Sequence, residues 1–545
     1  MGCGMSKSSA VPAAFDAHAD AIRRGVYIKV SCLCPAKAPA EDGTVIPVSI
    51  PQTEMRGITI VQMEAIAVYI NEHCEPSGWT ATNPAKKGVA LAPIQVNLYD
   101  LVHHLVKPVT AKASCSYVEL VAFGEQRPQW FVSHFWGEPV LAFCACLRQH
   151  HQDRLLEKQM PYWVCAYANN QWHVGADVSH DPKDSSFRRA IDLAEGTVTI
   201  LDGDAATFER IWCVYEIFLT LTQCGPNYKY DIYTQAEQGV IGLTDGLLKM
   251  DRGSIVQKLA REGEFPEPLL QHGFNKVNVQ LGKASQDSDR IHILNSMVGA
   301  ELDGTPPSHH EVYSKVNHLV RGRFAVAMSF WHGNPPTEMW PEVARTIQES
   351  GLRSIQLFFQ EQAMTIDPVL GALPDVQCAG ELEDLRLTVR NGIVRSVAEL
   401  EALFDRLSLY KGLKRLELSL GKLPAIGGAQ GVATVIAWLP RLAELGLQRF
   451  ELRECGITEQ SDAQGLLDAI EHCGKVFFYV DLSTNTGFGK TGKDGIKRIM
   501  RILKACPSLT DLSFFDCEFS EMDVFILKRT FEQEGREDLS KKVFF

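Results

Sequence analysis

Phe131-Val132-Ser133-His134-Phe135-Trp136-Gly137-Glu138-Pro139 passes from a short apolar run into a helical one, and Arg210-Ile211-Trp212-Cys213-Val214-Tyr215-Glu216 makes a similar passage about eighty residues later. Around them the chain alternates. Trp130 to Ser133 reads as a strand, Val140 to His150 as a helix, Tyr162 to Ala168 as a strand and Ser186 to Leu193 as a helix. Thr197 to Leu201 is a third strand, closed by Asp202-Gly203-Asp204. Phe208 to Leu221 is an amphipathic helix and Tyr228 to Tyr233 the last strand. Apolar runs of this length between helices predict an α/β unit over 126–235, with a parallel sheet buried on both faces. Ligands of such sheets bind at the carboxyl ends of the strands, where Ser133–Glu138 and Asp202–Asp204 fall.

These residues resemble the TIR (Toll/interleukin-1 receptor) domain. Many TIR domains open with a strand and S-x-R-G-E-D. Here Ser133 to Glu138 keeps the Gly-Glu, with one extra residue before it and Trp136 where Arg is common. The W-C-x-x-E-L of plant-type members is matched by Trp212-Cys213-Val214-Tyr215-Glu216-Ile217. Ser133-His134-Phe135-Trp136-Gly137 is also similar to the S-Y-x-W-G opening of the fungal heterokaryon-incompatibility (HET) domain, a TIR relative. The resemblance implies a flavodoxin-like fold. It also implies two alternatives: a unit that cleaves NAD⁺, or an adaptor that only pairs with its own kind.

In the first alternative, NAD⁺ is a substrate and no cofactor is held permanently. Nicotinamide leaves as a neutral group, and the ribosyl centre becomes oxocarbenium-like. One carboxylate can stabilise that charge, and Glu216 is the catalytic candidate. Trp212 shares its helix face one turn earlier, suited to pack on the base or ribose. Ser133, His134, Trp136, Gly137 and Asp202 are the remaining substrate-binding candidates. The bland readings are a solvated carboxylate for Glu216 and a core aromatic for Trp212. In either alternative the family implies self-association through this domain.

The carboxy-terminal region repeats. L-x-x-L-x-L appears as Leu352/Ile355/Leu357, Leu382/Leu385/Leu387, Leu413/Leu416/Leu418, Leu442/Leu445/Leu447, Phe477/Val480/Leu482 and Leu509/Leu512/Phe514, with starts 30, 31, 29, 35 and 32 residues apart. This resembles long leucine-rich repeats, with one strand and one helix in each. The resemblance implies a horseshoe over 346–545 whose concave face takes a protein ligand. Asp481-Leu482-Ser483-Thr484-Asn485 is the best single match, its Asn placed to bond the turn backbone. Gly487-Phe488-Gly489-Lys490-Thr491 has Thr484 where a phosphate loop needs its first Gly, so it reads as a repeat turn.

The remaining segments are a flexible tether over 1–20, an accessory α+β region over 21–125, and a mostly helical region with a linker over 236–345. The last has a capped helix start at Asp287-Ser288-Asp289 and a break at Asn334-Pro335-Pro336. Met1-Gly2-Cys3-Gly4-Met5-Ser6 fits N-myristoylation at Gly2, with Cys3 as the palmitoylation site that supplies a second anchor. The expected location is therefore the cytoplasmic face of a membrane.

The net charge of -12 argues against a broad nucleic-acid surface. No C-x-x-C pair occurs among the fifteen cysteines, and the adjacent pairs His103/His104, His150/His151 and His309/His310 point apart on a helix. No metal centre is expected.

Overall fold

The computed structural model describes residues 45–545, except 175–178, 226, 252–254, 276, 331–338, 361–363, 375–381 and 475. Gly2, Cys3, the tether and the Asn334-Pro335-Pro336 break lie outside the described residues. The chain divides at Asn317/His318 into two compact α/β units. Among the described residues, no helix is long and apolar enough to cross a membrane.

The first unit is built on six strands: β1 (Ile58–Thr59), β2 (Trp130–His134), β3 (Pro161–Trp163), β4 (Gly196–Leu201), β5 (Lys229–Ala236) and β6 (Gly239–Leu243). Their order is β1-β3-β2-β4-β5-β6. The central four are parallel, whereas β1 and β6 join the edges antiparallel. The strands within 126–235 are thus parallel as expected, the two antiparallel edges come from outside that range, and the region after 236 contributes a strand as well as helices. Chain order reverses at β2: the next strand lies on one side of it and the one after on the other. Every residue of β2 and β4 is buried, as a strand covered on both faces requires.

Four helices position the site. α1 (Ile60–His73) opens with a reciprocal cap, Gln62 N–H donating to Thr59 Oγ1 and Thr59 N–H to Gln62 Oε1. It packs on α2 (Val140–Asp153), where Arg148 pairs with Glu64 at 2.8 Å. α3 (Ser186–Leu193) follows β3, and α4 (Ile211–Phe218) follows β4.

Two local expectations fail. Tyr162 to Ala168 is strand only to Trp163, and Cys165–Ala168 is a helical turn. A short apolar run cannot by itself distinguish a strand from a buried helix. The helix expected over Phe208 to Leu221 breaks at Arg210 and ends in a π-helical turn, Leu219–Gln223. All eight residues of α4 are buried, so it is a core helix rather than an amphipathic one. α5 (Asp287–Val298) packs on α4. It starts at Asp287 with no side-chain cap, its early acids favouring the helix N-terminus instead.

The second unit is a seven-stranded, all-parallel sheet in strict chain order. Its strands are β7 (Ser354–Phe359), β8 (Asp384–Arg390), β9 (Arg415–Gly421), β10 (Leu447–Arg453), β11 (Tyr479–Asp481), β12 (Asp511–Ser513) and β13 (Val543–Phe544). A helix stands between each consecutive pair, and successive helices pack on one another. Leu357, Leu387 and Leu418 are in register as read from the sequence.

The fourth motif slips. A bulge between Leu447 and Arg449 pairs Leu447 with Leu416 and Phe450 with Leu418. Val480 then pairs with Phe450, and Leu512 with Val480. The uneven spacings around Leu442/Leu445/Leu447 come from reading the motif before the bulge. Asn485 behaves as read. Its Oδ1 accepts from the Cys455 and Ile457 amides at 3.0 and 3.2 Å, and its Nδ2 donates to the Leu452, Leu482 and Ser483 carbonyls.

Candidate functional site

At the carboxyl end of β2 the chain turns through Phe135–Glu138 into α2. Two backbone bonds tie this turn to a preceding segment: Leu98 N–H to the Trp136 carbonyl, and Val140 N–H to the Val96 carbonyl. α4 crosses β2 and lays Glu216 against Ser133. Ser133 Oγ donates to Glu216 Oε2 at 2.5 Å. The Glu216 residue is 3% exposed. Burial pushes its carboxyl up to about 8, and the Ser133 bond opposes the rise. At neutral pH it is chiefly a neutral acid.

Glu216 lines a pocket with His134, Phe135 and Trp136 from the β2 turn and with Arg210, Trp212 and Cys213 from the start of α4. Tyr99 and Cys165 complete the wall. The cavity holds about 20 Å³, room for one water. Burial holds the His134 imidazole down at about 4, so it is neutral. Burial also raises both thiols, Cys165 to about 12, which makes them inert as nucleophiles. Cys213 Sγ donates to the His134 carbonyl at 3.3 Å.

The expected residues do not all reach the cavity. His134, Trp136, Trp212 and Glu216 line it, while Ser133 acts from behind through Glu216. Trp212 is committed to packing: its ring stacks on Phe187 at 5.0 Å, and Nε1 donates to Asp289 Oδ2 at 3.2 Å. Trp136 Nε1 donates to Cys165 Sγ at 3.2 Å. Gly137 is steric, because a Cβ there would lie 2.4 Å from the Phe135 ring. Asp202 lies outside the pocket wall and accepts from the Ala206 amide at 2.7 Å, ending β4.

Five residues of the pocket wall were not among the candidates: Tyr99, Phe135, Cys165, Arg210 and Cys213. Glu138 is buried, and desolvation with Asp202 nearby holds its carboxyl well above the usual range. Arg210 sets its guanidinium 5.6 Å from the Phe135 ring centroid. It stood inside the quoted stretch, but the helix read over Phe208 to Leu221 hid its place at the start of α4. Tyr99 comes from a segment with no local sign of chemistry. A larger cavity of about 560 Å³ lies at the opposite end of the sheet, around Gln129, Pro161 and Glu195. Its exposed polar rim and its position at the strands' amino ends make it the weaker candidate.

No protein-family model matches this chain, and no curated protein matches it.

Proposed function

We propose that the first unit is a TIR-like, flavodoxin-like domain that hydrolyses NAD⁺ to nicotinamide and ADP-ribose products, with Glu216 as its catalytic carboxyl. The carrying observation is the Glu216–Ser133 pair, buried where chain order reverses and lining a pocket made by both quoted stretches. The strand order β3-β2-β4-β5 supports the fold reading, since it corresponds to the flavodoxin-like arrangement at its β1/β3 switch point. A water-sized cavity cannot take a nicotinamide riboside, so the pocket opens before it works. Self-association is the proposed opening event, and opening readmits solvent and lets Glu216 ionise. His134 and Trp136 then contact substrate, while Ser133 orients the carboxylate.

The second unit is read as a leucine-rich-repeat horseshoe docking a protein ligand on its concave sheet face. Acyl chains at Gly2 and Cys3 would hold the protein at a membrane, and no nucleic acid is involved. The small cavity and the packed Trp212 favour one second reading, a non-enzymatic adaptor with the same fold.

The test is nicotinamide release from NAD⁺ by full-length protein, free and clustered on liposomes, beside Glu216→Ala. Release by clustered wild type that is lost in the variant supports the enzyme. No release in either state supports the adaptor.

A further inference from the structure

We propose that His180, His292 and Asp303 form a zinc site on the first unit, distinct from the Glu216 pocket. The three come from separate segments: the turn before α3, the middle of α5, and the loop after α5. Their ligand atoms all lie within 4.8 Å of one another. His292 Nε2 is 2.9 Å from Asp303 Oδ1, and His180 Nε2 is 3.6 Å from the same oxygen. The imidazole centroids are 4.2 Å apart. Tetrahedral zinc with bonds of about 2.0–2.2 Å needs its ligand atoms about 3.3–3.5 Å apart, and the two measured separations bracket that. Two imidazoles with one carboxylate select a borderline metal over calcium or magnesium. Three protein ligands leave one position for water.

The surroundings hold the ligands in place. Asn295, fully buried one turn after His292, donates to the carbonyls of Leu302 and Gly304 on either side of Asp303. The Pro182–Asp184 turn beside His180 packs on α5. These contacts fix the backbone that carries the three ligands. The site has a consequence for its neighbour. Asp289, which holds Trp212 Nε1, is one turn before His292 on the same helix. Zinc would therefore tie down the helix that braces the pocket wall.

The test uses full-length protein and Zn²⁺ alone, with Asp303→Asn and His180→Gln, both at exposed positions. Expected are one zinc per chain in chelator competition, at least a tenfold weaker affinity in each variant, and a zinc-induced rise in melting temperature that both variants lose. Co²⁺ should give visible bands of nitrogen and oxygen ligation without thiolate charge transfer. Equal zinc affinity in wild type and both variants would overturn the proposal, as would thiolate bands that persist in the variants. Because no NAD⁺ enters the measurement, its outcome is independent of the enzyme reading.

Discussion

The sheet of the first unit buries a carboxyl near each of its two ends, and the two are treated oppositely. Asp231, near the amino end of β5, is 0% exposed and fully compensated. Arg154 grips it with Nε at 2.8 Å and Nη2 at 2.6 Å, His150 Nε2 stands 3.2 Å away, and the Asp245 amide donates at 2.7 Å. Despite burial, Arg154 and His150 hold it well below the usual carboxylate range. Glu216, across the carboxyl end of β2, has one hydroxyl donor among the described residues, and burial drives it to about 8. Asp231 is paired with the Arg154 cation, whereas Glu216, held by one hydroxyl among the described residues, is poised to take or give a proton.

The largest test removes the compensation. Arg154→Ala leaves Asp231 buried and charged, and should cost about 3–5 kcal/mol, read as lost hydrogen-exchange protection of β4 and β5. Unchanged protection would make the Asp231 network dispensable and collapse the contrast.

Next is Glu216→Gln. The folded pKa is raised, so wild type holds a proton that the unfolded chain sheds above about 4.5. The contribution of Glu216 to stability is then fully present below 4.5 and falls as pH rises toward 8. The variant lacks this dependence. It should match wild type at pH 4.5 and exceed it by about 3–4 kcal/mol at pH 8. Asp231 has the reverse sign, its contribution fading only as acid protonates it. Parallel pH–stability curves for wild type and Glu216→Gln would refute the difference.

Smaller effects sharpen it. Trp212→Phe keeps the stack on Phe187 but loses the bond to Asp289, at a cost of about 1–2 kcal/mol. Hydrogen exchange should rise first in α4 and α5, and an unchanged pattern would mean that the bond does not brace the pocket. Ser133→Ala should cost about 1 kcal/mol and move the Glu216 titration further upward. A downward move would show that the hydroxyl does not favour the charged form.

What the sequence disclosed follows from the range of each interaction. Alternating apolar runs located β2, β4 and β5, because strand burial is written in consecutive residues. Glu216 was legible through its four-residue spacing from Trp212, but its contact with Ser133 spans 83 residues and emerges only when α4 crosses β2. Ile58 to Val61 reads as strand-like, but its antiparallel pairing with β3 depends on a contact about a hundred residues away, and β6 looks like a glycine-flanked loop. The Leu447 bulge escaped because a one-residue insertion preserves leucine content while shifting register. His180, His292 and Asp303 were invisible for the same reason as the Ser133 contact: their nearness belongs to the fold.

The most direct test of the contrast is an infrared difference titration of full-length protein, wild type minus Glu216→Gln, from pH 5 to pH 9. The account predicts a protonated carboxyl band at pH 7 that disappears near pH 8, raised further by Ser133→Ala. A carboxylate band already complete at pH 6 would contradict it, and would make Glu216 an ordinary ionised acid like Asp231.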